Sequence, residues 1–291
     1  MKFVFPPSHH FPARVNFSYM HNAPQFIKKY LSSKQLEMFR RTCIGFLLDM
    51  DDIVGQAQLI HSLLLREVEC ADVDLICFRV GGKELRFGLV EFSMVSGLKC
   101  VGNLDTSVLY EWDGQLMTKY FEDDTVVPKS SLHDAIKYRR WDSDEDAIKL
   151  VVLFIIHRYV NTFRLDRGLT KEDFAMVDSG LFENYPWGLA SFNSTIQSLK
   201  GRLSERGALL DSSTTFNYRV DGFPVVFQCW FYEVCVRVDG ALAYRIGTRT
   251  PKILNWKTTS QPTLISLRKM IFDFSEVIIC YLYVSLFDVF S

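Results

Sequence analysis

Leu75-Ile76-Cys77-Phe78-Arg79-Val80-Gly81-Gly82-Lys83-Glu84-Leu85-Arg86-Phe87-Gly88-Leu89-Val90 is the stretch on which the fold class turns. Two β-rich runs, 75–80 and 84–90, flank a Gly-Gly pair that can take the positive φ of a tight turn. The segment therefore reads as an antiparallel β-hairpin. Directly after it, Phe92 and Val95 share a helical face and Gly97 can close a helix in the left-handed conformation, which predicts a short helix packed on the hairpin.

Working outward, helical signals dominate. Upstream, Leu59, Ile60, Leu63 and Leu64 recur at helical spacing over 56–67. Earlier still, Pro24 suits the first turn of a helix carrying Phe26, Ile27, Tyr30 and Leu31. Ser32 with Gln35 forms a capping-box pattern for a second helix ending near Arg41. Downstream, 102–130 is polar and aperiodic and is expected to be a loop. The strongest helix is predicted over 145–163, with a start signal at Ser143 and Asp146 and an apolar stripe through Ile148, Val151, Val152, Ile155, Ile156 and Val160. Another should cover 190–203, entered through the rigid turn Tyr185-Pro186-Trp187-Gly188. After a short extended piece at Tyr218 and a turn at Asp221-Gly222, Pro224 is placed to start a buried helix over 225–236. The fold class is α+β: a mostly helical single domain with a small antiparallel β-hairpin or sheet. Residues 1–10 read as an irregular arm.

Composition limits the chemistry. The chain has 291 residues, 48% of them hydrophobic, enough for a substantial core. Its 33 Lys and Arg oppose 34 Asp and Glu, so no global field draws it to nucleic acid or to an anionic membrane, and any such binding needs a local patch. Seven cysteines, an odd number set in apolar runs, read as reduced, buried thiols of an intracellular protein, without choosing nucleus or cytoplasm. Phe3 to Phe5 runs into Pro6 and Pro7, which does not make a secretory signal. The apolar run 277–287 falls short of the ~20 residues of a membrane-crossing helix, so no membrane partner is expected.

The order of several motifs carries a resemblance. Phe11-Pro12-Ala13-Arg14-Val15-Asn16, Ile44-Gly45-Phe46-Leu47-Leu48-Asp49, Leu63-Leu64-Leu65-Arg66-Glu67 and Phe78-Arg79-Val80-Gly81-Gly82 come first. Leu85-Arg86-Phe87-Gly88-Leu89-Val90-Glu91-Phe92, Ser96-Gly97-Leu98, Tyr185-Pro186-Trp187-Gly188 and Gly222-Phe223-Pro224 follow. Together they resemble DUF1985, a plant domain of unknown function found beside SUMO-protease-like (Ulp1-type) domains in proteins derived from Mutator-type transposons. The likeness covers 11–257. Ile44 stands where the family favours an aromatic, and Ser96 where it favours threonine. Residues 258–291 form a tail in which 276–291 does not resemble the family, being either native or the product of a misjoined gene model. The resemblance implies a non-catalytic interaction or accessory domain. Its alternative is a fragment of a SUMO-protease-like cysteine peptidase whose catalytic domain lies downstream.

Within the chain no catalytic residues are assigned. A SUMO-type protease needs His, Asp, Gln and then a Cys a few residues later, whereas Gln228 and Cys229 are adjacent and cannot face one pocket from a helix or a strand. Cys229 reads as a core thiol and His157 as a helix-flank or satisfied core residue. No metal ligands and no cofactor are assigned. Asp142, Asp144 and Asp146 start like a calcium loop, but Ala147 and Leu153 replace its glycine and its closing glutamate. They are read as an acidic helix start. Gly81-Gly82-Lys83 lacks the first glycine and the Ser or Thr of a phosphate loop. The candidate nucleic-acid contact is Lys137, Tyr138, Arg139, Arg140 and Trp141, where cations alternate with rings able to stack on bases, with the acids after Trp141 opposing it. A second basic group, Arg245, Arg249, Lys252 and Lys257, surrounds Tyr244 and Trp256. A protein partner is expected but not identified.

Overall fold

The computed structural model describes residues 2–122, 125–163, 166–204 and 216–274. The first third of the chain forms β1 (Ala13–Phe17), α1 (Ala23–Tyr30), α2 (Ser33–Arg40), α3 (Ala57–Leu64), β2 (Glu67–Val68), β3 (Ile76–Val80), β4 (Lys83–Phe87) and α4 (Leu89–Ser96). Then come α5 (Leu116–Phe121), α6 (Lys129–Lys137), α7 (Asp144–Ile155), α8 (Lys171–Asp178) and α9 (Trp187–Leu199). The last part holds β5 (Phe216–Val220), α10 (Pro224–Val234), β6 (Ala243–Arg245), β7 (Trp256–Thr258) and α11 (Leu264–Leu267). This is the helical α+β class expected from the sequence. The chain divides into two compact units, each discontinuous: one takes Met1–Phe17, Asp51–Gly97 and Ser191–Ser291, the other Ser18–Met50 and Leu98–Ala190.

In the first unit, Gly81 and Gly82 take φ values of 55° and 76°, which closes the hairpin and sets Val80 opposite Lys83. β2 joins the far side of β3 to make a three-stranded antiparallel sheet in the order β2-β3-β4. Phe78 and Phe87 are fully buried on its inner face. The Phe87 ring lies 5.0 Å from Phe227 and 5.1 Å from Trp230 of α10, and Phe78 lies 5.8 Å from Trp230. Every residue of α10 is buried, as its unbroken apolar run required. Gly222, at φ 77°, precedes it because a Cβ there would meet the backbone of Thr195, whose hydroxyl accepts the Phe223 N–H at 2.8 Å.

A buried polar network runs through this apolar packing. The Gln56 N–H donates to Gln228 Oε1 at 2.7 Å, Gln228 Nε2 donates to the Tyr232 hydroxyl at 2.8 Å, and that hydroxyl donates to Gln56 Oε1 at 2.7 Å. Gln56 Nε2 also reaches the carbonyls of Leu242 and Ser260, and Gln228 Nε2 that of Val54. Gln56 and Gln228 are wholly buried, so this ring ties α10 to the entry of α3 and to two later segments without leaving an amide unsatisfied.

Two pairings depart from the sequence reading. β1 and β5 form a parallel two-stranded sheet, with Ala13 opposite Phe216 and Phe17 opposite Val220, where only an extended piece near Tyr218 was anticipated. Its support is His61 of α3: the ring Nε2 donates to the Phe11 carbonyl at 2.7 Å, leaving Nδ1 to accept from the Tyr218 hydroxyl at 3.2 Å. Cys70 and Cys77 form a disulfide with Cα atoms 5.8 Å apart, which corrects the reading of seven reduced thiols. Cys229 and Cys235 are free and buried, and Cys280 lies outside the described residues.

In the second unit, α7 is the centre, with Val151, Val152, Phe154 and Ile155 fully buried. Its start is capped as expected, Ser143 Oγ accepting the Asp146 N–H at 3.1 Å. The capping box of α2 is likewise complete, Ser32 and Gln35 exchanging bonds of 2.9 and 3.2 Å. The 102–130 segment is not simply a loop: α5 buries Leu116, Met117 and Phe121, and the Phe121 ring sits 5.4 Å from Phe174 of α8. Three apolar positions in a six-residue helix are too few to show a period. The terminal run 276–291 lies outside the described residues.

Replacing Gln228 by Leu strands the Gln56 N–H and removes a partner of Tyr232. We expect a loss of about 2–4 kcal/mol in denaturant unfolding with no change in far-ultraviolet signal. Burial also sets two opposed pH responses. It lowers the His61 pKa from 6.5 to about 4, so stability is lost as pH falls from 6.5 through 4, by about 3 kcal/mol. It raises the Glu67 carboxyl, which accepts the Gly201 N–H, from 4.5 to about 7, so stability is lost as pH rises from 4.5 through 7. Unfolding midpoints across pH 4 to 7 should become flatter on the acid side in His61→Gln and on the neutral side in Glu67→Gln.

Candidate functional site

The run Lys137 to Trp141 closes α6. Lys137, Tyr138, Arg139 and Arg140 are exposed, Tyr138 by 58%, and Trp141 is half-buried. Lys137 Nζ lies 5.0 Å and Arg140 Cζ 5.5 Å from the centre of the Tyr138 ring, an arrangement in which two cations flank one exposed aromatic face. The helix is ended by a left-handed turn at Arg139, φ 53°, with the Arg140 N–H returning to the Ala135 carbonyl at 2.8 Å. Glycine normally occupies such a position, and a non-glycine residue costs about 1 kcal/mol there.

The compensation lies on α1. Arg139 Nε donates to the Tyr30 carbonyl at 2.9 Å, which brings the C-terminus of α1 beside that of α6. Lys28 and Lys29 are exposed there, and Lys29 Nζ stands 5.3 Å from the Tyr30 ring. The patch thus gains two cations and a ring from a helix remote in sequence. Among the described residues, none of Lys28, Lys29, Lys137, Arg139 and Arg140 forms an ion pair with a carboxylate.

The acids after Trp141 are engaged elsewhere. Asp144 pairs with Lys34 at 2.7 Å and accepts from Gln35, contacts that hold its carboxyl below the usual range. Asp142 and Asp146 share Lys119 at 3.2 and 2.7 Å, and the Tyr120 hydroxyl donates to Asp146 at 2.6 Å. The expected opposition to the patch is therefore largely met by Lys34 and Lys119. The second basic group is differently placed: Arg245 pairs with Glu233 at 3.2 Å and lies 4.5 Å over buried Trp256, while Lys257 reaches Asp51 at 3.4 Å. Those two cations are engaged within the first unit.

The second unit contains a cavity of about 530 Å³ that sequence reasoning missed. It opens where α7 passes into a wider π turn at Ile156–Val160, closed by the Asn161 N–H on the Ile156 carbonyl at 2.8 Å. Such turns rotate side chains off the regular helical face and recur at functional sites. His157 is carried onto the cavity wall, its Nε2 3.3 Å from Asp173 Oδ1. The other Asp173 oxygen caps α8 by accepting the Thr170 N–H at 2.9 Å. Burial lowers the His157 pKa, with the Asp173 charge opposing that shift and Lys129 and Arg167 adding to it. The ring is therefore neutral at pH 7. His157 is the satisfied, nearly buried residue expected, its side chain 11% exposed and paired with Asp173, and it also lines the cavity; the Thr170-x-x-Asp173 box was the local signal that a helix begins opposite it.

Of the 291 residues, 64–198 match the family model for DUF1985, a domain of unknown function. The DUF1985 span includes the hairpin, the 137–141 run and every residue lining the cavity. No curated protein and no solved structure matches the chain. No helix among the described residues is long and apolar enough to cross a membrane, and no group of three or more potential metal ligands occurs among them.

The His157 and Asp173 pair yields a direct test. Asn at 173 keeps an oxygen for the Thr170 cap and removes the charge that supports the imidazolium. Asp173→Asn should lower the His157 pKa further, read by the imidazole signals in an NMR titration, while stability changes by less than about 1 kcal/mol.

Proposed function

We propose that this chain is a non-catalytic binding module that grips single-stranded nucleic acid through the surface made by Lys28, Lys29 and Tyr30 of α1 and Lys137 to Trp141 at the end of α6. The observation that carries this reading is five exposed cations without carboxylate partners among the described residues, set around two rings. Cations left unpaired beside exposed rings suit a phosphate backbone whose bases can stack, and need no net positive charge on the whole chain. The resemblance adds a setting: an accessory domain of a plant, transposon-derived protein, beside a SUMO-protease-like domain. In that setting peptide cleavage belongs to the neighbouring domain, in keeping with the buried Cys229 thiol, which desolvation holds well above its ordinary pKa.

Binding of a labelled single strand of about 16 nucleotides should weaken with salt. Five phosphate contacts give a slope of about −3.5 in log K against log salt. Arg139→Ala with Arg140→Ala should reduce that slope by about 1.4. Tyr138→Ala should cost about 1–3 kcal/mol without changing the slope. Binding insensitive to salt, or unchanged in the double variant, overturns the reading.

A further inference from the structure

The cavity beside His157 holds one feature that the polyanion surface does not use: two opposite charges that face the same space without meeting. Arg167 lies over the Phe163 ring at 4.6 Å, and among the described residues it has no carboxylate partner. Glu172, in the first turn of α8, has no cation partner among them either. Asp173 is already engaged by His157 and by the helix cap. The apolar surface open to a ligand is aromatic, with the lining rings Tyr110, Phe163 and Tyr185 each at least partly exposed.

We propose that this cavity binds a small zwitterion with an apolar or aromatic body, of the amino-acid class, its carboxylate on Arg167 and its ammonium on Glu172. A purely anionic ligand would satisfy Arg167 but face Glu172 as a like charge. A purely cationic one would do the reverse. A neutral apolar ligand would leave both charges partly desolvated without partners, which is unfavourable. A zwitterion satisfies both and lies against the exposed rings, and about 530 Å³ lies within the usual range for small-ligand sites. The neutral imidazole of His157 suits this division, since a charged one would compete for the carboxylate. This site is separate from the nucleic-acid reading and stands or falls independently of it.

Three probes on one ring test it by calorimetry on the full chain: L-phenylalanine, phenethylamine and 3-phenylpropanoate. L-phenylalanine should bind at least about tenfold more tightly than either singly charged analogue. Arg167→Ala should abolish its advantage over phenethylamine, and Glu172→Gln its advantage over 3-phenylpropanoate. Both side chains are at least partly exposed, and unchanged unfolding midpoints would confirm intact variants. The proposal is overturned if L-phenylalanine shows no binding, if a singly charged probe binds the native chain equally well, or if each substitution weakens all three probes alike.

Discussion

The hydrogen-bonded ring of Gln56, Gln228 and Tyr232 is the constraint on which the first unit depends. Two primary amides and a phenol hydroxyl are withdrawn from water at that point, and each group finds its partner in one of the others or in a main-chain carbonyl. An apolar core can be filled by many arrangements of similar volume, but this ring closes in only one. It fixes the rotation of α10 about its own axis, and with it the direction in which Phe227 and Trp230 face the sheet. Glu233 acts in the same way one turn further on, accepting from the Trp256 indole at 2.6 Å while Arg245 balances its charge. The packing of the hairpin is thus specified by polar atoms that its own sequence does not contain.

Much of the fold was legible because the decisive residues act locally. Gly81 and Gly82, Ser32 with Gln35, Ser143 with Asp146, and Pro224 each set the backbone within a few residues of themselves. What escaped is what depends on distance. The partner of β1 is about two hundred residues away, and no pattern inside Ala13–Phe17 announces a parallel neighbour. The Cys70–Cys77 bridge was hidden because Cys77 sits in an apolar strand where a reduced thiol is equally at home. Helices α5, α6 and α8 are too short to show a clear period, and only α8 carries a start signal, the Thr170 and Asp173 box.

The same division holds at the surface. Lys137 to Trp141 could be seen as a run, but its extension by Lys28, Lys29 and Tyr30 arises only because α1 and α6 end side by side. The neutralisation of Asp142, Asp144 and Asp146 comes from Lys34 and Lys119, neither adjacent in sequence. The cavity was the least legible feature of all. A regular helix would leave His157 at a different angle, and the one π turn that carries it onto the wall has no sequence signature.

The interleaved path of the chain bears on what the matched span means. Residues 64–198 take in β3, β4 and α4, yet α10, which covers the inner face of that sheet, lies beyond position 198, and so do β5 and Gln228. The span also begins after α1 and α2, which belong to the second unit. The borders of sequence kinship therefore do not coincide with the borders of either cooperative core. An excised 64–198 polypeptide would leave Phe78 and Phe87 facing water, so kinship and autonomous folding are separate properties along this chain.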